Sequence, residues 1–222
     1  MSINTYAKLQ AAVQDELNRN AGLLGQDVTI GSTTIEGKVK RAIANCEVRV
    51  RQLIRVRQQE TSTTITFTNG TTEYALPSDF KSARLMHLVQ DPIVTIEQDS
   101  LENIISEYPS NATGEPRKFA IVGSNFQVRP IPDSGRSAKL YYYQDLTSLS
   151  DTNTSNWLLL ECPNIYLYGS CLELTPYLGD DERIQVWKGA FDEAIGLLTG
   201  DDNATKWNGV LVQSALPVMI VV

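Results

Sequence analysis

The spacing of apolar residues changes character three times along the chain, and each change marks an organisational boundary. Over residues 4–18, Tyr6, Leu9, Val13 and Leu17 recur at helical spacing, and Asn4 or Thr5 stands where a side-chain oxygen caps a helix start. Gly22, Gly25 and Gly31 predict a loop over residues 20–34. Residues 35–57 carry the clearest helical pattern. Ile35, Val39, Ile43, Cys46, Val50, Leu53 and Ile54 fall within an arc of about 100° on a helix, and Lys38, Lys40, Arg41, Arg49, Arg51 and Arg55 lie outside it. Glu36 near its start and Arg55 and Arg57 near its end suit the helix dipole.

The period then falls to two. Residues 61–68 are rich in Thr, Ile and Phe, Asn69-Gly70 follows, and residues 71–76 form a second such run. Asn-Gly between two runs predicts a hairpin, because both turn residues tolerate positive φ. Pro77 ends the second run. Further strands are predicted at residues 83–89, 93–96, 118–122, 125–129 and 138–144, with a tight turn at Gly123-Ser124 and a short helix at residues 101–106. Helical character returns after the polar stretch 147–156. Pro163 suits a first helical position, and the helix it opens is apolar all round, which predicts burial between partners, before Gly179 ends it. Asp180, Asp181 and Glu182 favour the next helix start. Ile184, Trp187, Phe191, Ala194, Ile195 and Leu198 form its apolar stripe, with Gly200 as its predicted end.

The pattern predicts an α+β chain. An antiparallel helical bundle (residues 1–60 and 148–200) carries an inserted antiparallel β-sandwich or small barrel (residues 61–147), followed by an extended C-terminal tail (residues 201–222). Six of the last seven residues, 216–222, are non-proline apolar residues, so the tail is expected either to dock on another chain or to add a strand to its own sheet. The candidate docking residues are Leu211, Leu216, Val218, Met219, Ile220 and Val222. Leu216, Val218, Ile220 and Val222 share one face of an extended segment.

Charge sharpens the picture. The 222 residues carry a formal charge of -7, which argues against free nucleic acid as the default partner. The distribution is uneven, with seven Lys/Arg against three Glu over residues 36–60 and eleven acids against three bases from Asp145 onward. Arg41, Arg49, Arg51 and Arg55 are therefore a candidate basic face toward a protein ring or passing DNA, with a merely solvated helix face as the alternative. Contacts to DNA would reach phosphates only and weaken with salt.

Little catalytic chemistry is visible. No apolar run reaches the roughly 18 residues of a membrane span, and the first ten residues lack the pattern of a signal peptide. Cys46, Cys162 and Cys171 are read as free thiols. The single histidine, His87, is placed on a strand face opposite Met86 and Leu88, which excludes any His cluster. No nucleophile elbow, phosphate loop or metal-ligand spacing occurs. Asp180, Asp181 and Glu182 are explained more simply by helix capping than by metal binding. Glu73, Asp79, Asp91 and Glu97 leave a glycan hydrolase open, and a tyrosine-rich sheet leaves glycan binding open. Tyr141, Tyr142 and Tyr143 are expected as two outward and one inward residue of a strand, with base stacking as the alternative. No enzyme activity, cofactor or metal is expected.

Several motifs occur in a telling order. Tyr74-Ala75-Leu76-Pro77-Ser78-Asp79-Phe80 fits a Tyr-x-Leu-Pro-x-Asp-Phe turn. Gly114-Glu115-Pro116-Arg117, then Phe126-Gln127-Val128-Arg129-Pro130, fit the hairpin that follows it. Tyr141-Tyr142-Tyr143, Leu149-Ser150, Asn156-Trp157-Leu158-Leu159 and Pro163-Asn164-Ile165-Tyr166-Leu167-Tyr168-Gly169 complete the set, with Tyr177-Leu178 and Asp181-Glu182-Arg183 beyond. Over roughly residues 62–198 the chain resembles the head-to-tail adaptor (connector, gatekeeper or tail tubular protein A) proteins of tailed bacteriophages. Tyr74, Leu76, Pro77, Asp79, Phe80, Pro116, Trp157 and Tyr168 are the structural residues of that resemblance. It implies helices carrying a β insert and a ring of twelve copies between the portal and the tail nozzle, around the DNA channel. It also implies a virion protein of the head-tail junction, assembled in the host cytoplasm, with no membrane association and no catalysis.

Overall fold

A computed structural model describes residues 2–17, 28–30, 33–35, 37–178 and 182–206. The chain divides into two compact units, one from residues 1–56 and 149–222, the other from residues 57–148.

In the first unit, α1 (Tyr6–Glu16) is capped by Thr5, whose hydroxyl accepts from Lys8 N at 3.4 Å, and it buries Tyr6, Leu9 and Val13 on one face. Two short strands, β1 (Val28–Ile30) and β2 (Thr33–Ile35), pair antiparallel where the glycine spacing predicted loop. Ile35 thus belongs to a strand, and α2 runs over Lys38–Leu53. It stops there because Ile54 turns extended, which leaves Arg55 and Arg57 beyond its end. Val39, Ala42, Ile43, Cys46 and Val50 are buried as the period demands, whereas Leu53 in the last turn is half exposed.

After a loop, α3 (Trp157–Glu161) is capped by Asn156, and Pro163 opens α4 (Pro163–Glu173). The single helix expected to run to Gly179 is two pieces, because α4 ends at Glu173 and α5 spans Thr175–Leu178. Helix α6 (Ile184–Lys206) passes straight through Gly200, so residues 201–206 are helical rather than tail. Its inward stripe is as expected, with Trp187, Phe191 and Leu198 buried. Helices α1, α2 and α6 all pack on α4, which explains why α4 is apolar all round. The closest approach is at Gly169. A Cβ there would overlap Cys46 Sγ and lie 2.9 Å from Phe191 Cε2, so only glycine lets α2 and α6 approach α4 this closely. On the α1 side, Trp187 Nε1 donates to Glu16 Oε1 at 3.2 Å and Arg183 to the Glu16 carbonyl at 2.9 Å.

The second unit is a half-barrel. Its strands are β3 (Glu60–Phe67), β4 (Glu73–Ala75), β5 (Phe80–Leu88), β6 (Val94–Gln98), β7 (Thr113–Gly114), β8 (Lys118–Val122), β9 (Asn125–Arg129), β10 (Ile131–Pro132) and β11 (Arg136–Gln144). Seven of them form one curled sheet in the order β3-β11-β5-β6-β8-β9-β4, while β7 and β10 form a small parallel pair. Where an antiparallel sandwich or small barrel was expected, the sheet is a single mixed one curled into a half-barrel, since β6 and β8 pair parallel through Glu97↔Lys118 and Gln98↔Phe119. Helix α7 (Leu101–Glu107) occupies the β6–β8 crossover and is capped by Ser100. Crossovers of this kind are what parallel strands require.

The Asn69-Gly70 turn forms, with Gly70 at φ +76°, but it does not make a hairpin. Strands β3 and β4 lie at opposite edges of the sheet. β3 finds eight continuous partners on β11 and β4 finds three on β9, so long-range pairing overrides the local signal. Gly123, at φ +62°, does close the predicted β8–β9 hairpin. Inside the curl, Phe67, Met86, Leu88, Phe119, Phe126, Val128, Leu140 and Tyr142 make the core.

Candidate interaction surfaces

Several of the motif residues make internal contacts within their unit. Tyr74 in β4 sends its hydroxyl back over the 68–71 turn. The oxygen accepts from Thr68 N at 2.9 Å, and its proton faces the Thr71 and Thr68 carbonyls at 2.9 and 3.2 Å. Its ring lies 4.9 Å from Phe67, which draws the two sheet edges together at this end, and burial pushes its phenol above the usual tyrosine range. Leu76 N donates to the Ser124 carbonyl and Phe80 N to the Pro77 carbonyl, both at 3.0 Å, so Leu76 and Pro77 shape the turn that follows. Asp79 Oδ1 accepts from the Tyr142 hydroxyl at 2.9 Å, and Phe80 stacks on the Tyr142 ring at 5.6 Å. Burial, then the neighbouring Asp79 carboxylate, raises the Tyr142 phenol to about 12. Tyr142 faces the core while Tyr141 and Tyr143 face outward, as the strand period requires. Pro116 is buried in the approach to β8.

In the helical unit the binding group is one that sequence reasoning missed. Glu47 on α2 is only 3% exposed. Its Oε1 accepts from Leu149 N at 2.8 Å and from the Tyr166 hydroxyl at 3.1 Å. Asn156 Nδ2 donates to the same hydroxyl oxygen at 2.7 Å, while Asn156 Oδ1 caps α3 through Leu159 N at 2.9 Å. Burial and the Glu47 carboxylate push the Tyr166 phenol far above its ordinary range. One carboxylate thus pins the 149–156 loop onto α2 and α4. The available signal was its place four residues after Ile43 and three before Val50, on the flank of the apolar arc. Trp157 and Tyr168 stand half-buried on the elements this network holds.

Arg41, Arg49 and Arg51 stand on α2, with Arg49 and Arg51 each about 80° around the axis from Arg41. Arg49 pairs with Glu173 at 2.6 Å, Arg51 is half-buried, Arg55 lies past the helix end, and Arg41 is exposed on the helix. Lys38 sits over the Tyr177 ring at 4.6 Å, beside an open groove of about 330 Å³ that Arg41, Asn45 and Glu173 also line. The candidate docking residues Leu211, Leu216, Val218, Met219, Ile220 and Val222 lie outside the described residues.

His87 is where it was expected, opposite the buried Met86 and Leu88. It stacks on Tyr141 at 5.8 Å, and Lys139 covers the same ring from 5.2 Å. Burial raises the Cys46 and Cys171 thiols to about 12, so neither is a ready nucleophile at neutral pH. Among the described residues no cluster of three His, Cys, Asp or Glu side chains could hold a metal ion, and no helix is long and apolar enough to cross a membrane.

No curated protein matches the chain. The family model described as SU10 adaptor protein matches residues 4–214, which takes in both units and all the motif residues above. The chain therefore belongs to the SU10 adaptor protein family, a phage adaptor-type protein.

Proposed function

We propose that this chain is a non-catalytic structural protein of the virion, a head-to-tail adaptor. Copies of it, twelve by resemblance to the connector proteins, form a ring that joins the portal to the tail nozzle around the DNA channel. The observation that carries this reading is the adaptor-family match across residues 4–214. The character of the motif residues supports it. They hold the turn at 68–71 and the Asp79–Tyr142 contact, and Leu149, Asn156 and Tyr166 join the Glu47 network. An assembly protein needs such rigid units to present fixed surfaces to several neighbours. The net charge of -7 sets the chain apart from a generic DNA-binding protein.

The test is electron microscopy of the purified chain, alone and mixed with portal rings of the same virus. A second ring stacked coaxially on the portal is the expected result. Portals left bare in the mixture would overturn the reading and move the chain to another place in the virion.

A further inference from the structure

The two edges of the curled sheet are unequal. β4 offers only three residues, a length that natural sheets use to blunt an edge. β3 offers eight, in unbroken register with β11 from Tyr143↔Glu60 to Arg136↔Phe67. It has no bulge, no proline, no glycine and no lysine, and its one charge, Glu60, is tied to Arg84. No residue from Glu60 to Thr66 is fully buried. Among the described residues, no backbone hydrogen bond of Thr61 to Phe67 reaches beyond the β11 ladder. Among the described residues, the free side of β3 is thus a row of donors and acceptors without a backbone partner. Ile65 packs against the core but remains partly uncovered there.

We infer that the β3 edge is completed by residues 216–222 of a second copy of this chain, added as a further strand. The segment Leu216-Pro217-Val218-Met219-Ile220-Val221-Val222 matches the edge in length and in chemistry. Leu216, Val218, Ile220 and Val222 alternate, so one face extends the apolar row of Ile65 and Phe67. Pro217 falls next to the start of the added strand, where a missing N–H is tolerated. The described chain reaches Lys206, and the ten steps to Leu216 span up to about 35 Å, about the diameter of a small domain. Strand addition of this kind draws affinity from main-chain hydrogen bonds and selectivity from alternate side chains. Given from each copy to the next in one direction, it is a heterologous contact of the sort that closes rings. The inference rests on the self-association in the proposed function, but its test needs neither portal nor ring.

The experiment is amide hydrogen exchange on the full chain carrying Val218→Asp and Ile220→Asp, which removes its own strand from competition. The probe is a peptide of residues 215–222 with two added N-terminal lysines for solubility. Excess peptide is expected to slow exchange of the residue 61–66 amides by about tenfold or more. The peptide with Val218→Asp and Ile220→Asp is expected to leave them unchanged. Ile65→Lys in the protein, checked for its native β11 ladder by the same exchange map, is expected to abolish the effect by placing a charge on the inward row. In the unsubstituted chain, protection of β3 is expected to rise with protein concentration. Absent protection at saturating peptide, protection mapping to other elements, or protection in the unsubstituted chain that is independent of concentration would each overturn the inference. Rings that form on portals without β3 protection would overturn it alone and leave the adaptor reading standing.

Discussion

Glycine and glutamate positions show how far one side chain can matter in this chain. Gly169 and Gly189 are both helical, yet a Cβ meets Cys46 and Phe191 at the first and nothing within 4 Å at the second. Gly169→Ala should therefore cost about 1–3 kcal/mol by overpacking, while Gly189→Ala should gain about 0.5–1 kcal/mol from helix propensity. Urea denaturation of the two variants checks both signs. Glu47→Ala strands a buried backbone N–H and a buried phenol, and should cost about 3 kcal/mol, whereas Glu47→Gln keeps an acceptor and should cost about 1 kcal/mol. Equal losses in the two Glu47 variants would mean that the carboxylate's hydrogen bonds contribute little. The sequence places these residues on their helices without showing their surroundings. Gly169 is legible as special only once α2 and α6 are known to converge on it.

At the scale of elements, the β6–α7–β8 crossover is held by charge. Asp99 accepts from Ser100 N at 2.7 Å, from Asn103 Nδ2 at 2.9 Å and from Lys118 Nζ at 3.0 Å, and Lys118 also reaches Glu107. The Asn103 and Lys118 hydrogen bonds, with that from Ser100, hold the Asp99 carboxyl at about 2, below its ordinary 3.8. Between those values the unfolded chain binds the extra proton. Stability from this group is therefore complete above about pH 4 and is lost as pH falls through 2. A side-chain NMR titration should find the Asp99 midpoint near 2, and Lys118→Met should raise it. A midpoint unchanged by the substitution would mean that the ammonium is not part of the clamp. The strand and helix periods made these elements legible, and the β8 and β9 bounds agree residue for residue with those read from sequence. The β3–β4 hairpin failed because a turn signal reports only a reversal of the chain. It carries no information on which of several strands will supply the partners.

For the whole molecule, the two ends of the half-barrel decide how it can sit within a helical chain. β3 begins and β11 ends side by side, since Glu60 pairs with Tyr143. An insert with adjacent ends interrupts its host at little topological cost. It also has a core of its own, centred on Phe67, Met86, Phe119 and Phe126. A fragment of residues 57–148 should accordingly fold alone and unfold in one cooperative transition followed by circular dichroism. A fragment without such a transition would show that the sheet depends on the helices.

The sequence by itself determined most of the helix and strand segments, that a β segment interrupts a helical chain, and that α4 packs between several partners. These follow from local periodicity and from steric rules that act within a few residues. Its ordered motifs also pointed to the adaptor family. Tertiary structure alone decided the sheet order, the parallel β6–β8 pair, the half-barrel curl between the two expected forms, and the burial of Glu47 beneath the 149–156 loop. It also ended α2 before Arg55 and set Arg49 against Glu173. Each of these depends on partners tens of residues away, chosen by competition among all possible pairings, and no local pattern encodes the outcome of that competition.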